Sequence, residues 1–273
     1  MRAANRAVGR ATTPVARMLH GARPSRSLTL LGWHRIGDAD DGLTTRPDDF
    51  RRHLDEIEDW GGTVLPLDEA LARLRTRTLP PRAIALTFDD GYASVADVAW
   101  PELVERGMPA TLYAVSRFLD GRRSFPWDAC LPSSSPLVRL VSADGLRELA
   151  DGGMDVGSHT ATHRWLPGLA ADEVADEVTR SRADLEDLLA RPVRGLAYPM
   201  GGWTPQIRDL TADAGYAYAI TVDRGRNAPR HPALELRRAF AFDRPDDVRR
   251  QLEGAFTWMR PIEDRRRRQE PTW

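Results

Sequence analysis

The sequence predicts an α/β fold in one large domain, and three observations predict it. Short apolar runs alternate with helical patterns along most of the 273 residues, the signature of βα units. No predicted strand is followed by the Gly-rich turn of a dinucleotide-binding sheet. The residues with chemical potential stand at strand C-terminal ends, as a barrel requires. Alternation alone leaves two architectures, an open doubly wound sheet or a barrel. The length is long for one compact domain and short for two, and 41% hydrophobic residues suffice for a sizeable core.

Strands are expected at Ser27–His34, Thr63–Leu67, Ala83–Asp89, Ala110–Val115, Asp155–His159, Leu196–Pro199, Tyr218–Val222 and Leu236–Phe240. The helices between them carry their own start and stop signals. Pro47-Asp48-Asp49 opens one that runs to about Trp60, with Phe50, Leu54 and Ile57 on one face. Leu67-Asp68-Glu69 opens the next, which ends before Pro80. Ser94–Glu105 reads as a third that Pro101 must bend or split, because proline lacks the N–H and crowds the preceding turn. Asp144–Ala150 is a short fourth. Ala171–Ala190 is the clearest, with Val174, Val178, Leu185 and the pair Leu188 and Leu189 as its apolar stripe. Thr204 reads as a cap with Pro205 in the first turn, and Arg244–Phe256 is the last helix.

Composition removes several classes of function. The formal net charge of −1 gives no overall electrostatic footprint for nucleic acid. There is no lysine, which excludes Schiff-base chemistry and the phosphate-loop lysine. Cys130 is the only cysteine, so neither an internal disulfide nor a cysteine-built zinc site is available; it is expected as a small packed residue. No run approaches the roughly 20 apolar residues of a membrane span. Residues 1–26 read as a basic arm without the apolar stretch of a secretory signal, and residues 261–273 as a charged tail containing Arg265 to Arg268. For both ends a solvated or loosely docked segment stands beside a peripheral contact with anionic lipid.

Two motifs carry chemistry. Ala83 to Phe88 is an apolar strand that delivers Asp89 and Asp90 to its end, and Gly91 then turns the chain. Neighbouring acids on a strand point to opposite sides, but a turn can bring both into one pocket, where a cation or a shared proton must relieve their repulsion. The plain alternative is that Asp-Asp-Gly is only a turn. The second motif is Ser158-His159-Thr160-Ala161-Thr162-His163. Two histidines at i and i+4 face one side if the segment enters a helical turn, a spacing that suits one metal ion and also occurs as surface decoration. Asp90, His159 and His163 would give three ligands with open positions, the catalytic rather than the structural pattern, and leave Asp89 as a base. Zinc suits these ligands, and cobalt, manganese or iron fits them as well.

These residues resemble the first two signatures of the polysaccharide deacetylase family, carbohydrate esterase family 4. Trp33-His34-Arg35-Ile36 and Met108-Pro109-Ala110-Thr111 resemble flanking segments of a large bacterial branch, so the likeness spans about Thr29 to Asp243. The resemblance implies a distorted (β/α)7-type barrel over residues 27–260, with Asp89 as base and Asp90, His159 and His163 on the metal. It implies removal of an N-acetyl group from a carbohydrate, with acetate released. A sugar O-deacetylase and a catalytically impaired glycan-binding barrel are the alternatives. With no export signal in view, a cytoplasmic place, at most peripheral to the inner membrane, is expected.

The third family motif, Arg-x-Pro-Tyr, is altered. Ala197-Tyr198-Pro199-Met200 occupies it, so the arginine that braces the catalytic Asp is absent there. The resemblance points to a variant branch, and Arg237 or Arg238 on the last predicted strand is expected to replace that brace. The Met200 N–H, at the place of the motif's tyrosine, is a candidate oxyanion donor. No late histidine matches the family's general acid. His231 is expected in an exposed loop, His20 and His53 on the surface, and His34 near the site or in packing. Trp127 is expected either to stack on a sugar or to pin its loop, and Trp165 and Trp203 share that ambiguity.

Overall fold

The computed structural model describes residues 27–241 and 245–254. The basic arm 1–26, the charged tail 261–273 and His20 lie outside the described residues. The elements, in order, are β1 (Thr29–Trp33), β2 (Arg35–Ile36), β3 (Thr44–Thr45), α1 (Pro47–Asp59), β4 (Thr63–Val64), α2 (Leu67–Thr76) and β5 (Ala83–Phe88). A π turn (Val95–Ala99) then runs into α3 (Trp100–Glu105), followed by β6 (Ala110–Ala114), α4 (Ala143–Asp151), β7 (Asp155–Ser158) and α5 (Ala171–Leu189). The described residues close with β8 (Gly195–Ala197), α6 (Pro205–Asp213), β9 (Tyr218–Ile220), β10 (Ala239–Phe240) and α7 (Pro245–Leu252). No helix among the described residues is long and apolar enough to cross a membrane.

All ladders of the main sheet are parallel, in the order β10-β1-β5-β6-β7-β8-β9. β1 occupies one edge of β5, so β4 and β6 share the other: β4 pairs with Ala83 and Ile84, β6 with Leu86 to Phe88. The predicted strand Leu236–Phe240 divides between two neighbours. Leu236 bridges Ile220 at the end of β9, while Ala239 and Phe240 pair with Leu31 and Gly32 of β1. That one segment spans the gap between the first and last strands, and the curled sheet becomes a distorted barrel rather than an open sheet.

Period-2 alternation sorts the strand residues into two cores. Leu31, Trp33, Ile84, Leu86, Phe88, Leu112, Val156, Leu196 and Ala219 belong to the larger cluster, packed against helices. Leu28, Leu30, Ala83, Ala85, Tyr113, Ala197, Tyr218, Ile220 and Leu236 form a second cluster, the barrel interior. Leu67, Ala70, Leu71 and Leu74 of α2 join it, so this helix plugs one end of the barrel. Large interior rings lie over glycines of neighbouring strands. A Cβ on Gly157 would stand 2.3 Å from the Tyr113 ring, and one on Gly195 would stand 2.2 Å from the Tyr218 ring.

One expectation holds and three change. Pro101 does split its helix: the Trp100 N–H reaches back to the Val95 carbonyl, and Pro101 takes the second position of α3, where a missing N–H costs nothing. His53 is fully buried rather than on the surface, because it lies on the same α1 face as Phe50, Leu54 and Ile57; its Nδ1 accepts the Trp33 indole N–H at 3.2 Å. Cys130 is exposed rather than packed. His231 is half-buried, with a ring nitrogen 2.7 Å from the Glu235 carbonyl.

Gly195→Ala is expected to cost about 1–3 kcal/mol, as overpacking of a filled interior does. Gly168→Ala, where a Cβ meets nothing within 4 Å, should leave Tm unchanged. Thermal unfolding of the two variants side by side measures this; equal Tm values would mean that the Tyr218 ring is free to move.

Candidate active site

Interior parity carries specific residues to the mouth of the barrel. The register Trp33↔Phe88 places the next residues, His34 and Asp89, side by side, and the Asp89 N–H donates to the Trp33 carbonyl at 3.0 Å. His159 follows β7 on the interior parity of Gly157, and Arg238 precedes β10 on that of Leu236. Asp90 would face outward on a continuing strand. Instead it is left-handed at φ 70°, followed by Gly91 at φ 78°, and the carboxylate returns to the pocket its neighbour occupies.

Asp89 is buried and gripped by both arms of the Arg238 guanidinium, Nη1 to Oδ1 at 2.6 Å and Nη2 to Oδ2 at 2.5 Å. Arg238 is itself fully buried, donates also to Thr87 Oγ1 at 3.2 Å, and lies 4.6 Å from the Phe240 ring centre. Burial alone would raise the Asp89 pKa; the Arg238 charge, with His159 and His34 adding to it, outweighs burial and holds the carboxyl below its usual range. Arg237 is not the brace. Its backbone N–H donates to Asn227 Oδ1 and its side chain passes Gly225, because adjacent strand residues face opposite ways.

Asp90, His159 and His163 each offer a ligand atom, and these atoms lie within 4.8 Å of one another. Asp90 Oδ1 stands 3.5 Å from His159 Nε2 and 3.4 Å from His163 Nε2, and the two Nε2 atoms are 3.2 Å apart. Burial pushes the Asp90 carboxyl up, but a hydrogen bond from His159 and the fields of His34, His163 and His159 hold it at about 2. Burial and then the His159 charge push His163 down to about 3, so its imidazole is neutral. Burial also lowers His159, but Asp89 and Asp90 reverse the sign and raise it. Asp90 Oδ2 is buried with no hydrogen-bond partner among the described residues. A carboxylate with one orphaned oxygen, its other oxygen facing two imidazole nitrogens, is a donor set that fits a divalent cation.

The remaining expected residues divide. His34, at the mouth, stacks on Phe240 at 4.5 Å; burial lowers its pKa against the fields of Asp90 and Asp89. Trp127 is half-buried and stands edge-on to His163, 5.1 Å between centroids. Tyr198 is turned away from the pocket: it packs in the outer core and donates its hydroxyl to the Leu234 carbonyl at 3.1 Å. Pro199 is buried, and Met200 is left-handed at φ 55° in the turn after β8. One brace was not anticipated. Buried Glu177 of α5 accepts the Thr162 N–H at 2.8 Å and the Thr162 hydroxyl, and its carbonyl accepts the Ala161 N–H, so it holds the loop between the two histidines. A carboxylate within the Val174–Val178 stripe was the available signal.

The sequence model for polysaccharide deacetylases matches residues 76–219, more than half of the chain and the span that holds both motifs. The chain belongs to the polysaccharide deacetylase family. Bacillus subtilis YxkH, itself assigned to the polysaccharide deacetylases, is 22% identical over 199 residues, which cover 72% of this chain and 65% of YxkH. This family member therefore spans just under two thirds of that relative's length. Among solved structures, Streptococcus pyogenes deacetylase PplD in complex with acetate superposes with a TM-score of 0.72 at 22% identity, covering 83% of this chain and 98% of PplD. IcaB from Ammonifex degensii gives 0.70 at 24% identity, covering 84% and 97%. At these identities the likeness is one of fold, and the deacetylase barrel is common to all three.

The folded pKa of Asp89 lies below its unfolded value of about 3.9, so the stability it contributes is complete above that value and is lost as pH falls through the folded one. Arg238→Gln leaves the carboxylate buried without its partner, at a cost of about 3–5 kcal/mol near neutral pH. The gap between parent and variant should narrow in acid, as Asp89 takes up a proton. Urea unfolding at neutral and acid pH measures it, and a gap independent of pH would contradict the pairing.

Proposed function

We propose that this chain is a divalent-metal-dependent hydrolase that removes N-acetyl groups from an N-acetylhexosamine in a glycan or glycan precursor, releasing acetate. The observation that carries the reading is the buried set of Asp90, His159 and His163, with ligand atoms within 4.8 Å, beside a carboxylate that stands outside the set. Two imidazoles and one carboxylate favour zinc, and cobalt, manganese or iron suit the same donors. Bound there, a divalent ion would supply a Lewis acid that polarises the acyl carbonyl and acidifies water.

The chain's own residues do the rest. Asp89, 3.8 Å from His159 Nε2, accepts the proton of the attacking water. Its lowered pKa keeps it ionised at neutral pH, and the Arg238 fork fixes its plane. The Met200 N–H makes no hydrogen bond among the described residues and serves as a donor to the developing oxyanion. Water adds to the acyl carbon, the C–N bond breaks, the amine leaves with a proton, and acetate remains. His34 on the β1 side and Trp127 on the β7 side offer half-buried aromatic surface to a sugar ring. The fold shared with PplD, solved in complex with acetate, supports acetate as the product.

Asp89→Asn should retain zinc and lose about 100-fold or more in acetate release, as loss of a general base does. His159→Ala or His163→Ala should lose zinc as well. Acetate release from matched N-acetylated and O-acetylated oligosaccharides, with metal content measured on the same samples, tests both. Full turnover in Asp89→Asn would remove the proposed base, and faster release from the ester would redirect the reading to O-deacetylation.

A further inference from the structure

The two imidazoles of the candidate metal site are held in different ways. His159 Nδ1 donates to the Ala197 carbonyl at 2.7 Å, the kind of outer hydrogen bond that fixes the ring plane and tautomer of a ligating histidine. His163 Nδ1 makes no such bond among the described residues; the backbone N–H bonds Thr160 Oγ1, and Nε2 faces His159. Two aromatic rings touch the His163 imidazole instead. Phe125 lies 5.4 Å away at 73° and Trp127 lies 5.1 Å away at 67°, both edge-on, and the two stack on each other at 4.5 Å.

A chain of polar bonds sets the place of Trp127. Its indole N–H donates to Tyr92 Oη at 2.9 Å, and the Tyr92 hydroxyl donates to Asp128 Oδ2 at 2.9 Å. Asp128 Oδ1 accepts Arg35 Nη1 at 2.5 Å, and both side chains are 1% exposed. The other guanidinium nitrogens of Arg35 donate to Asp41 Oδ2 at 2.5 Å and Thr44 Oγ1 at 2.8 Å, and the group lies 5.1 Å from the Tyr92 ring centre. The relay thus starts one residue after His34, passes two residues after Asp90, and ends in the long connection between β6 and α4 that carries Trp127.

We propose that Arg35, Asp128 and Tyr92 are positioning residues for His163 and act through Trp127. The proposal rests on the metal-site reading above. The relay takes the place of the hydrogen bond that His163 lacks. A buried, charge-assisted pair has one geometry, and it fixes the Tyr92 hydroxyl as an acceptor at the edge of the pocket. Trp127 is half-buried, so without that acceptor its N–H would turn toward water and the ring would leave the His163 edge. His163 would then sample ring planes in which Nε2 no longer points at the site.

Tyr92→Phe removes one hydroxyl and keeps the ring; Trp127→Phe removes the indole N–H and keeps an aromatic edge. Each variant and the unaltered chain are titrated with zinc alone in competition with a chelator, and metal-free Tm and circular dichroism report folding. Both variants should bind zinc about 10–100-fold more weakly, the usual cost of losing an outer partner of a metal ligand. Excess zinc should restore turnover of Tyr92→Phe, which a general loss of structure would not allow; Trp127→Phe is read by zinc affinity alone. If Tyr92→Phe fails to fold, Trp127→Phe, at a half-exposed position, decides alone. Folded variants with zinc affinity within twofold of the unaltered chain overturn the proposal and leave the metal site standing. An unaltered chain that binds no zinc overturns the metal-site reading, and this proposal with it.

Discussion

Two carboxylates one residue apart cannot both stay charged inside a barrel unless something answers their charge, and the Asp89–Arg238 fork is the first answer. It joins residues 149 positions apart. β10 contributes only two residues to the sheet, so the backbone closure of the barrel is thin, and the buried fork ties that segment to the central strand β5. The pair also removes Asp89 from competition for a cation. What remains at the mouth is one carboxylate held ionised at about 2 and two imidazoles that cannot both be protonated at 3.2 Å. One buried negative charge among nitrogen lone pairs is an arrangement that a divalent ion completes and that water alone satisfies poorly.

Much of this was legible because strand periodicity does not depend on tertiary context. The alternation that places Ala83, Ala85 and Thr87 inward places Asp89 inward, and the same count along β7 reaches His159. The choice between Arg237 and Arg238 was legible by that rule too: Leu236 belongs to the interior cluster, so Arg238 shares its face and Arg237 does not. Periodicity also marked Glu177 and His53, since each lies on the buried stripe of its helix. What could not be read is of another kind. That Leu236–Phe240 would divide between β9 and β1 depends on how the sheet curls, which no local pattern encodes. The contact of Arg35 with Asp128 spans 93 positions and runs through a loop with no period at all.

Backbone strain separates the site from the scaffold. Among the described residues, seven non-glycine residues have positive φ. Arg77 and Ala190 are left-handed caps at the ends of α2 and α5, an ordinary way to stop a helix, and Arg82 lies in the turn before β5. The other four, Asp90, Thr160, His163 and Met200, all belong to the three motif loops at the barrel mouth. Each such residue costs on the order of 1–3 kcal/mol and persists only where its surroundings over-determine it. They do so here. The Thr160 N–H is held by Ser158 Oγ, the His163 N–H by Thr160 Oγ1, and the turn around Met200 by the bond from the Gly201 N–H to the Tyr198 carbonyl. A loop that served only to connect strands would relax out of these conformations. Their concentration at the mouth means that folding itself does the work of orienting these side chains, and that work is what brings one carboxylate and two imidazoles from distant segments within 4.8 Å of one another, as a preorganised metal site would require.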